Sequence, residues 1–198
     1  MIRELRNLHL RWWHANHRSM TTLLKAAGLP ASVTDRVRDM IHSCRECRAW
    51  SAAGNATIPT TSLPTKFNGQ VEGDLLFYRT SVILHLLCRC TRWHAGEIIA
   101  CKSEESLLDA IHTTWIATFG PMQELYFDGE AGLDNDSARN HLQRLGVKLK
   151  VRAPEQHAQY AERHGALLRI VMHLTEDQRM REGIAITMKM LLAQSLFV

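Results

Sequence analysis

Apolar and polar positions along the chain follow two different periods, and the change falls near residue 67. Up to residue 50 the spacing is helical. Leu5, Leu8, Trp12 and Trp13 share one helix face. Met20, Leu23 and Leu24 mark a second helix over Ser19–Ala27, stopped by Gly28-Leu29-Pro30. Val33, Val37, Met40 and Ile41 form the stripe of a third, which starts at Ser32. Residues 51–66 are rich in small residues, Thr and Pro, and read as an extended connector.

From residue 67 short apolar runs alternate with amphipathic stretches. Val71–Tyr78, Ser81–Cys90 and Trp93–Cys101 read as three successive strands, a pattern that suggests an antiparallel meander. A helix follows over Ser103–Phe119, capped by Ser103 and ended by Gly120-Pro121, with Leu107, Leu108, Ile111 and Trp115 on its buried stripe. Glu124–Phe127 reads as a fourth strand, Ser137–Leu145 as a helix and Val147–Val151 as a fifth strand. A helical region opened by Pro154 runs to about Leu174, and Thr175-Glu176-Asp177 caps a last helix bearing Ile184, Leu191 and Leu192. The predicted order is βββ-α-β-α-β-α-α, in an α/β chain with a small helical domain in front.

Two acids break the apolar pattern. Asp74 interrupts Val71–Tyr78, and a carboxylate set into an apolar strand is costly unless paired. It is either a strand-end acid bonded to backbone or Arg, or a metal ligand. Tyr126-Phe127-Asp128-Gly129-Glu130 again runs an apolar strand into acids, and Glu155 to Glu162 supplies acids at a helix start.

The N-terminal helices are too short to make a core by themselves, so a staple is expected. His9 and His14 lie about one helical turn apart and can face the same side. Cys44 and Cys47 form a C-x-x-C knuckle, with 29 residues between the two pairs. Two His and two Cys make a closed, structural, tetrahedral zinc set whose binding is coupled to folding. His17 is a competing ligand. The alternative is surface His and a redox-active or accidental C-x-x-C, although this one lacks the thioredoxin strand-to-helix setting.

Bulk composition narrows the partners. The 198 residues are 45% hydrophobic and 22% charged, with a net charge of +4. This permits a nucleic-acid partner without demanding one. No run of 18 apolar residues and no secretory core at the N-terminus appear, so no membrane partner and an intracellular location are expected. Five Cys is an odd number, which favours thiols or metal ligands over a disulfide framework, and Cys88, Cys90 and Cys101 read as core or edge thiols. Lys148, Lys150 and Arg152 either contact phosphate or form a solvated strand face. Arg163 and Arg169 lie on the exposed side of their helix, where a phosphate contact would be salt-dependent.

Taken in order, these motifs resemble a retroelement integrase, in particular the integrase region of a retrotransposon polyprotein. Leu8-His9-Leu10-Arg11-Trp12-Trp13-His14 resembles that family's first zinc-ligand pair, and Ser43-Cys44-Arg45-Glu46-Cys47 its second. Gln70–Phe77 resembles the first catalytic-Asp strand and Thr91-Arg92-Trp93 the strand after it. Phe127-Asp128-Gly129-Glu130 resembles the second Asp, and Ala153-Pro154 through Glu162-Arg163 the third motif. Thirty-three residues separate Asp128 from Glu162, close to the family's usual gap in the mid-thirties.

The resemblance implies a His-His-Cys-Cys domain over 1–50, a linker over 51–66 and a ribonuclease-H-like core over 67–198, a mixed five-stranded sheet flanked by helices. It implies a DDE triad of Asp74, Asp128 and Glu162 holding two Mg²⁺ or Mn²⁺ ions about 4 Å apart, with Lys148, Lys150 and Arg163 toward DNA. The activity implied is metal-dependent trimming of retroelement DNA 3′ ends and their joining to target DNA. A homo-oligomer and a nuclear location follow by the same analogy. The chain departs from the family in three places. Glu130 and Glu155 are rival ligands, Gln159-Tyr160-Ala161 replaces a common Gly, and no basic β-barrel follows residue 175, as in a C-terminally truncated core. His157 and His164 flank Glu162 and can touch DNA or metal. Two competing readings are an inactive remnant that serves as a zinc-dependent DNA-binding or assembly module, and a nuclease that cuts without joining.

Overall fold

The computed structural model describes residues 1–50, 64–128, 132–152 and 159–197. Most of the expected connector, along with Glu130, Pro154, Glu155 and His157, lies outside the described residues. The chain divides into two compact units, Met1–Asn55 with Ile170–Val198, and Ala56–Arg169.

The second unit is built on a mixed five-stranded sheet. Its strands are β1 (Gln70–Tyr78), β2 (Ser81–Cys88), β3 (His94–Ile99), β4 (Glu124–Asp128) and β5 (Lys148–Arg152), in the order β3-β2-β1-β4-β5. The first three strands form the expected antiparallel meander. β4 runs parallel to β1, with Gly73 opposite Phe127, and β5 runs parallel to β4, with Asp128 opposite Arg152. Because side chains alternate across a strand, β1 has two distinct faces. Val71, Gly73 and Leu75 face a core shared with Leu84, Leu86, Leu125 and Phe127. Glu72, Asp74 and Leu76 occupy the other face.

Gly73 sits where the Phe127 ring crosses the middle strand. A Cβ added there would overlap Cε2 and Cδ2 of that ring and come within 3.1 Å of Leu86. The close approach buries Phe127 almost completely and keeps the parallel β1–β4 register tight.

The helices depart from the sequence expectation in instructive ways. The N-terminal segment forms five short helices rather than three. They are α1 (Ile2–Arg11), α2 (His17–Ala26), α3 (Ala31–Thr34), α4 (Val37–Ser43) and α5 (Arg45–Ala49). Asn16 caps α2, which starts two residues before the expected Ser19, by accepting a bond from the Ser19 amide at 2.9 Å. Their apolar stripes meet in a small core of Leu5, Met20, Leu24, Val37 and Met40.

The helix expected over Ser103–Phe119 starts as α6 (Glu104–Ile111), passes through a π-helical turn (His112–Ile116) and closes as α7 (Ala117–Phe119). The turn aims two adjacent hydroxyls at one acceptor. Thr113 and Thr114 both donate to Glu97 of β3, at 2.8 and 2.9 Å. It also buries Trp115, whose indole N–H donates to Asn68 at 2.8 Å. α8 (Asp136–Arg144) is capped by Asn135.

The helix break expected at Thr175 is absent. α9 runs unbroken from Gln159 to Arg181, Thr175 is buried, and α10 is Met188–Leu196. Tertiary contacts override the capping signal. His173, Asp177 and Arg181 recur every four residues on one helix face. The Trp50 ring stacks on His173 at 3.7 Å between centroids, its indole N–H donates to Asp177 at 2.8 Å, and Glu46 pairs with Arg181.

Gly73→Ala is expected to destabilise the sheet unit by about 2–3 kcal/mol, the cost of forced overpacking. Urea unfolding checks this. The double variant with Phe127→Leu should recover part of the loss, since it removes the atoms that the new methyl meets.

Candidate functional site

Two groups of chemically competent side chains stand out, one in each unit. In the N-terminal unit His9, His14, Cys44 and Cys47 converge, with one donor atom of each within 4.8 Å of the others. His9 Nε2 lies 3.2 Å from His14 Nδ1 and 3.3 Å from Cys47 Sγ. His14 Nδ1 lies 3.5 Å from both sulfurs. A zinc tetrahedron with ordinary Zn–N and Zn–S bonds has edges of about 3.3–3.8 Å, so this donor set is already the right size for the ion. His17, the competing ligand, is not in the group.

The way His14 arrives differs from the expected helical spacing. α1 ends at Arg11, and Trp13 and His14 both take left-handed φ, +50° and +58°. That conformation is costly for residues with a Cβ. It folds the chain back so that the His14 ring meets His9 edge-on. His9 Nδ1–H donates to the Ala15 carbonyl at 3.1 Å, which fixes the tautomer and leaves Nε2 as the ligand atom.

The thiols are primed as a pair. Hydrogen bonding from Cys47, assisted by His14 and His9, holds the Cys44 thiol far below its usual range. The Cys47 thiol is pushed up by its bond to Cys44 and by burial. Cys44 is therefore the sulfur favoured as a thiolate, the form that binds a metal. Glu46, between the two Cys, is buried and lies 3.1 Å from Cys44 Sγ through Oε2, with Arg181 on its other oxygen. The cluster could hold zinc. Chelation or Cys44→Ser is expected to remove one zinc per chain, lower the melting temperature and free Trp50 from its stack, read as a change in tryptophan emission. Zinc retention should fall as pH drops and the ligands take up protons.

The second group lies on the outer face of β1. Asp74 and Asp128 stand on adjacent parallel strands, both on the face opposite Gly73 and Phe127. Glu162 lies in the first turn of α9, exposed to solvent. α9 comes close to β1 through Gly165. A Cβ there would lie 3.3 Å from Leu76 Cδ1, 3.8 Å from His85 Nδ1 and 3.9 Å from Asp74 Oδ2. Burial, with a smaller contribution from the nearby charges of Asp128 and Glu162, raises the pKa of Asp74 to about 6. The Leu75 amide, donating to Oδ1 at 2.8 Å, and Arg169 oppose the rise. Among the described residues the three are not drawn into the mutual 4.8 Å of the zinc group.

The basic residues named from sequence spread widely. Lys148 pairs in register with Glu124, and Arg152 with Asp128, so Lys148 lies about 13 Å along the strand from the carboxylate end. Lys148 is exposed and lines a cavity of about 480 Å³ with Lys66, Gln70 and Glu124. Lys150 is engaged internally, 2.7 Å from Glu124 and donating to the Tyr126 hydroxyl at 3.2 Å. Arg163 is exposed on α9 beside Glu162.

The sequence reading missed two residues of this face. Glu72 is fully buried two positions before Asp74, and His85 is fully buried opposite Asp74 in the β1–β2 register. His85 bonds His94 through Nε2 at 3.0 Å, and burial with His94 and His164 nearby drives its pKa down to about 3, so it stays neutral. Strict alternation along Gln70–Tyr78 would have put Glu72 on the face of Asp74. His85 needed the strand register.

No family model and no curated protein sequence matches the chain. Among the described residues no helix is long and apolar enough to cross a membrane.

The charge crowding has a thermodynamic sign. The proton affinity of Asp74 is raised in the fold, so its contribution is favourable below the unfolded value near 4 and is lost as pH rises through about 6. Asp74→Asn should therefore stabilise the metal-free protein at pH 7.5 by about 1–2 kcal/mol, after discounting for solvent screening, and have little effect below pH 4. Thermal melts across pH check this.

Proposed function

We propose that the chain is an integrase-type polynucleotidyl transferase that trims and joins DNA 3′ ends, with Asp74, Asp128 and Glu162 as its metal-holding carboxylates. The observation that carries the reading is the placement of Asp74 beside Asp128 on adjacent parallel strands, with the first half of α9, which bears Glu162, passing close to Asp74 at Gly165. Acids brought from two strands and a helix toward one end of the sheet favour a cation there. A ribonuclease-H-like sheet is supported by the order β3-β2-β1-β4-β5, with β4 and β5 parallel to β1. The His-His-Cys-Cys cluster in the preceding unit supports the same family.

The three carboxylates are hard oxygen donors suited to Mg²⁺ or Mn²⁺, and such ions, when bound, activate the attacking oxygen and stabilise the leaving one. Asp74, whose proton affinity is raised chiefly by burial, would be held ionised by such a cation. Glu162, at the exposed start of α9, is open to a DNA end. Arg163 beside it offers a salt-dependent phosphate contact. A homo-oligomer and a nuclear location belong to this reading by analogy.

The test uses labelled branched and blunt oligonucleotides with Mg²⁺ or Mn²⁺, comparing wild type with Glu162→Gln at equal zinc content. Metal-dependent joining of a 3′-hydroxyl end is expected, falling to background in the variant. Cutting without joining would mark a nuclease of the same fold. A folded, zinc-loaded wild type that equals the variant would mark an inactive remnant.

A further inference from the structure

A carboxylate as deeply buried as that of Glu72 is expensive unless both oxygens find partners. Here they do. Oε2 accepts a bond from the Ala161 amide at 3.0 Å, and Oε1 lies 3.3 Å from Arg89 Nε. Arg89 is itself held on several sides. Its Nη1 donates to Gln70 Oε1 at 2.7 Å, and its guanidinium lies 5.5 Å from the Tyr126 ring and 5.1 Å from the Tyr160 ring.

Ala161 is the third residue of α9, so its amide is one of the four without a partner inside the helix. The positive end of the helix dipole adds to the attraction for a carboxylate. Ala161 immediately precedes Glu162, and Glu72 is two residues from Asp74 on the same face of the same strand. One buried hydrogen bond thus ties the backbone of one proposed metal ligand to the strand of another.

Stability alone is a poor reason for such a pair. Apolar residues of similar volume usually do as well as a buried ion pair, or better. Geometry is the better reason. We propose that Glu72, braced by Arg89, is a positioning residue that fixes the first turn of α9 and so sets the Glu162 carboxylate relative to Asp74. This rests on the metal-dependent reading of the three carboxylates, and it adds a residue that touches neither ion nor DNA.

The test combines hydrogen exchange over residues 159–166 with Mn²⁺ titration of the zinc-loaded full chain. The paired variant Glu72→Leu with Arg89→Leu should fold with an unchanged or higher melting temperature. Its amides at 161–165 should exchange about tenfold faster or more, and its Mn²⁺ affinity should fall about tenfold, the scale of a lost charge-assisted bond. Glu72→Gln keeps an acceptor for Ala161 and should stay within about threefold of wild type in both. If the Leu pair does not fold, Arg89→Gln gives the same comparison with a smaller expected change. A folded Leu pair with wild-type exchange and wild-type Mn²⁺ affinity would overturn the assignment. Exchange is read without Mn²⁺, so the two readings fail separately. A wild type that binds no Mn²⁺ overturns the metal site and the role of Glu72 in it, whereas unchanged exchange overturns the strut alone.

Discussion

The Phe127 ring lies across the backbone of Gly73, and the rest of the sheet unit follows from that contact. Parallel strands need a long crossover and gain slightly less per residue than antiparallel ones. Here the crossover is α6, the π turn and α7, and the return is secured by a large ring filling the space that a missing side chain leaves. With β4 locked beside β1, one face acquires a continuous core from Val71, Leu86, Leu125 and Phe127. The opposite face acquires Asp74 and Asp128 side by side. Apolar packing on one side of the sheet thus sets the register of the charges on the other, and a one-residue slip would exchange them.

That outer face is built against its own stability. Asp74 is desolvated next to like charges, His85 is buried and kept neutral, and Glu72 is buried but satisfied. A fold selected only for stability would place apolar residues here, as it does on the facing side. The contrast between Glu72 and Asp74, two residues apart on the same strand, is informative. Both oxygens of Glu72 are engaged by the protein, whereas Asp74 has one backbone donor and a field of like charge. One acid is satisfied within the scaffold, and the other is desolvated among like charges. Local conflict of this kind, within an otherwise consistent fold, costs stability that apolar residues would not.

Much of this was legible in the chain because it rests on period and punctuation. The meander, the helix capped by Ser103 and the strands expected over Glu124–Phe127 and Val147–Val151, each found within a residue of those bounds, follow from alternation and from Gly, Pro, Ser and Asn at the joints. The zinc set was legible because donor type and pairing suffice, even though the geometry expected for His14 was not the one found. A helical spacing was expected, and a left-handed turn delivers the ring. What stayed hidden depends on distant partners. Thr175-Glu176-Asp177 carries a capping signal, yet the stripe of His173, Asp177 and Arg181 finds Trp50 and Glu46 and the helix continues. The surroundings of Glu72 come from Ala161 and Arg89, both distant from it in sequence.

Trp50 and Glu46 also explain why the C-x-x-C segment carries more than two sulfurs. Glu46 lies between the ligands and Trp50 three residues beyond them, so α5 presents both one turn apart, matching the four-residue repeat of His173, Asp177 and Arg181. The C-x-x-C segment therefore grips the second half of α9 by a stacked ring, a neutral-to-charged hydrogen bond and an ion pair. The first half of the same helix is held by Glu72 through the Ala161 amide. Each half of α9 is thus held within its own unit by an acid buried in another segment. A helix of 23 residues with a weak apolar stripe has little reason to stay whole by propensity alone. Contacts at His173, Asp177 and Arg181 carry it past the stop signal at Thr175.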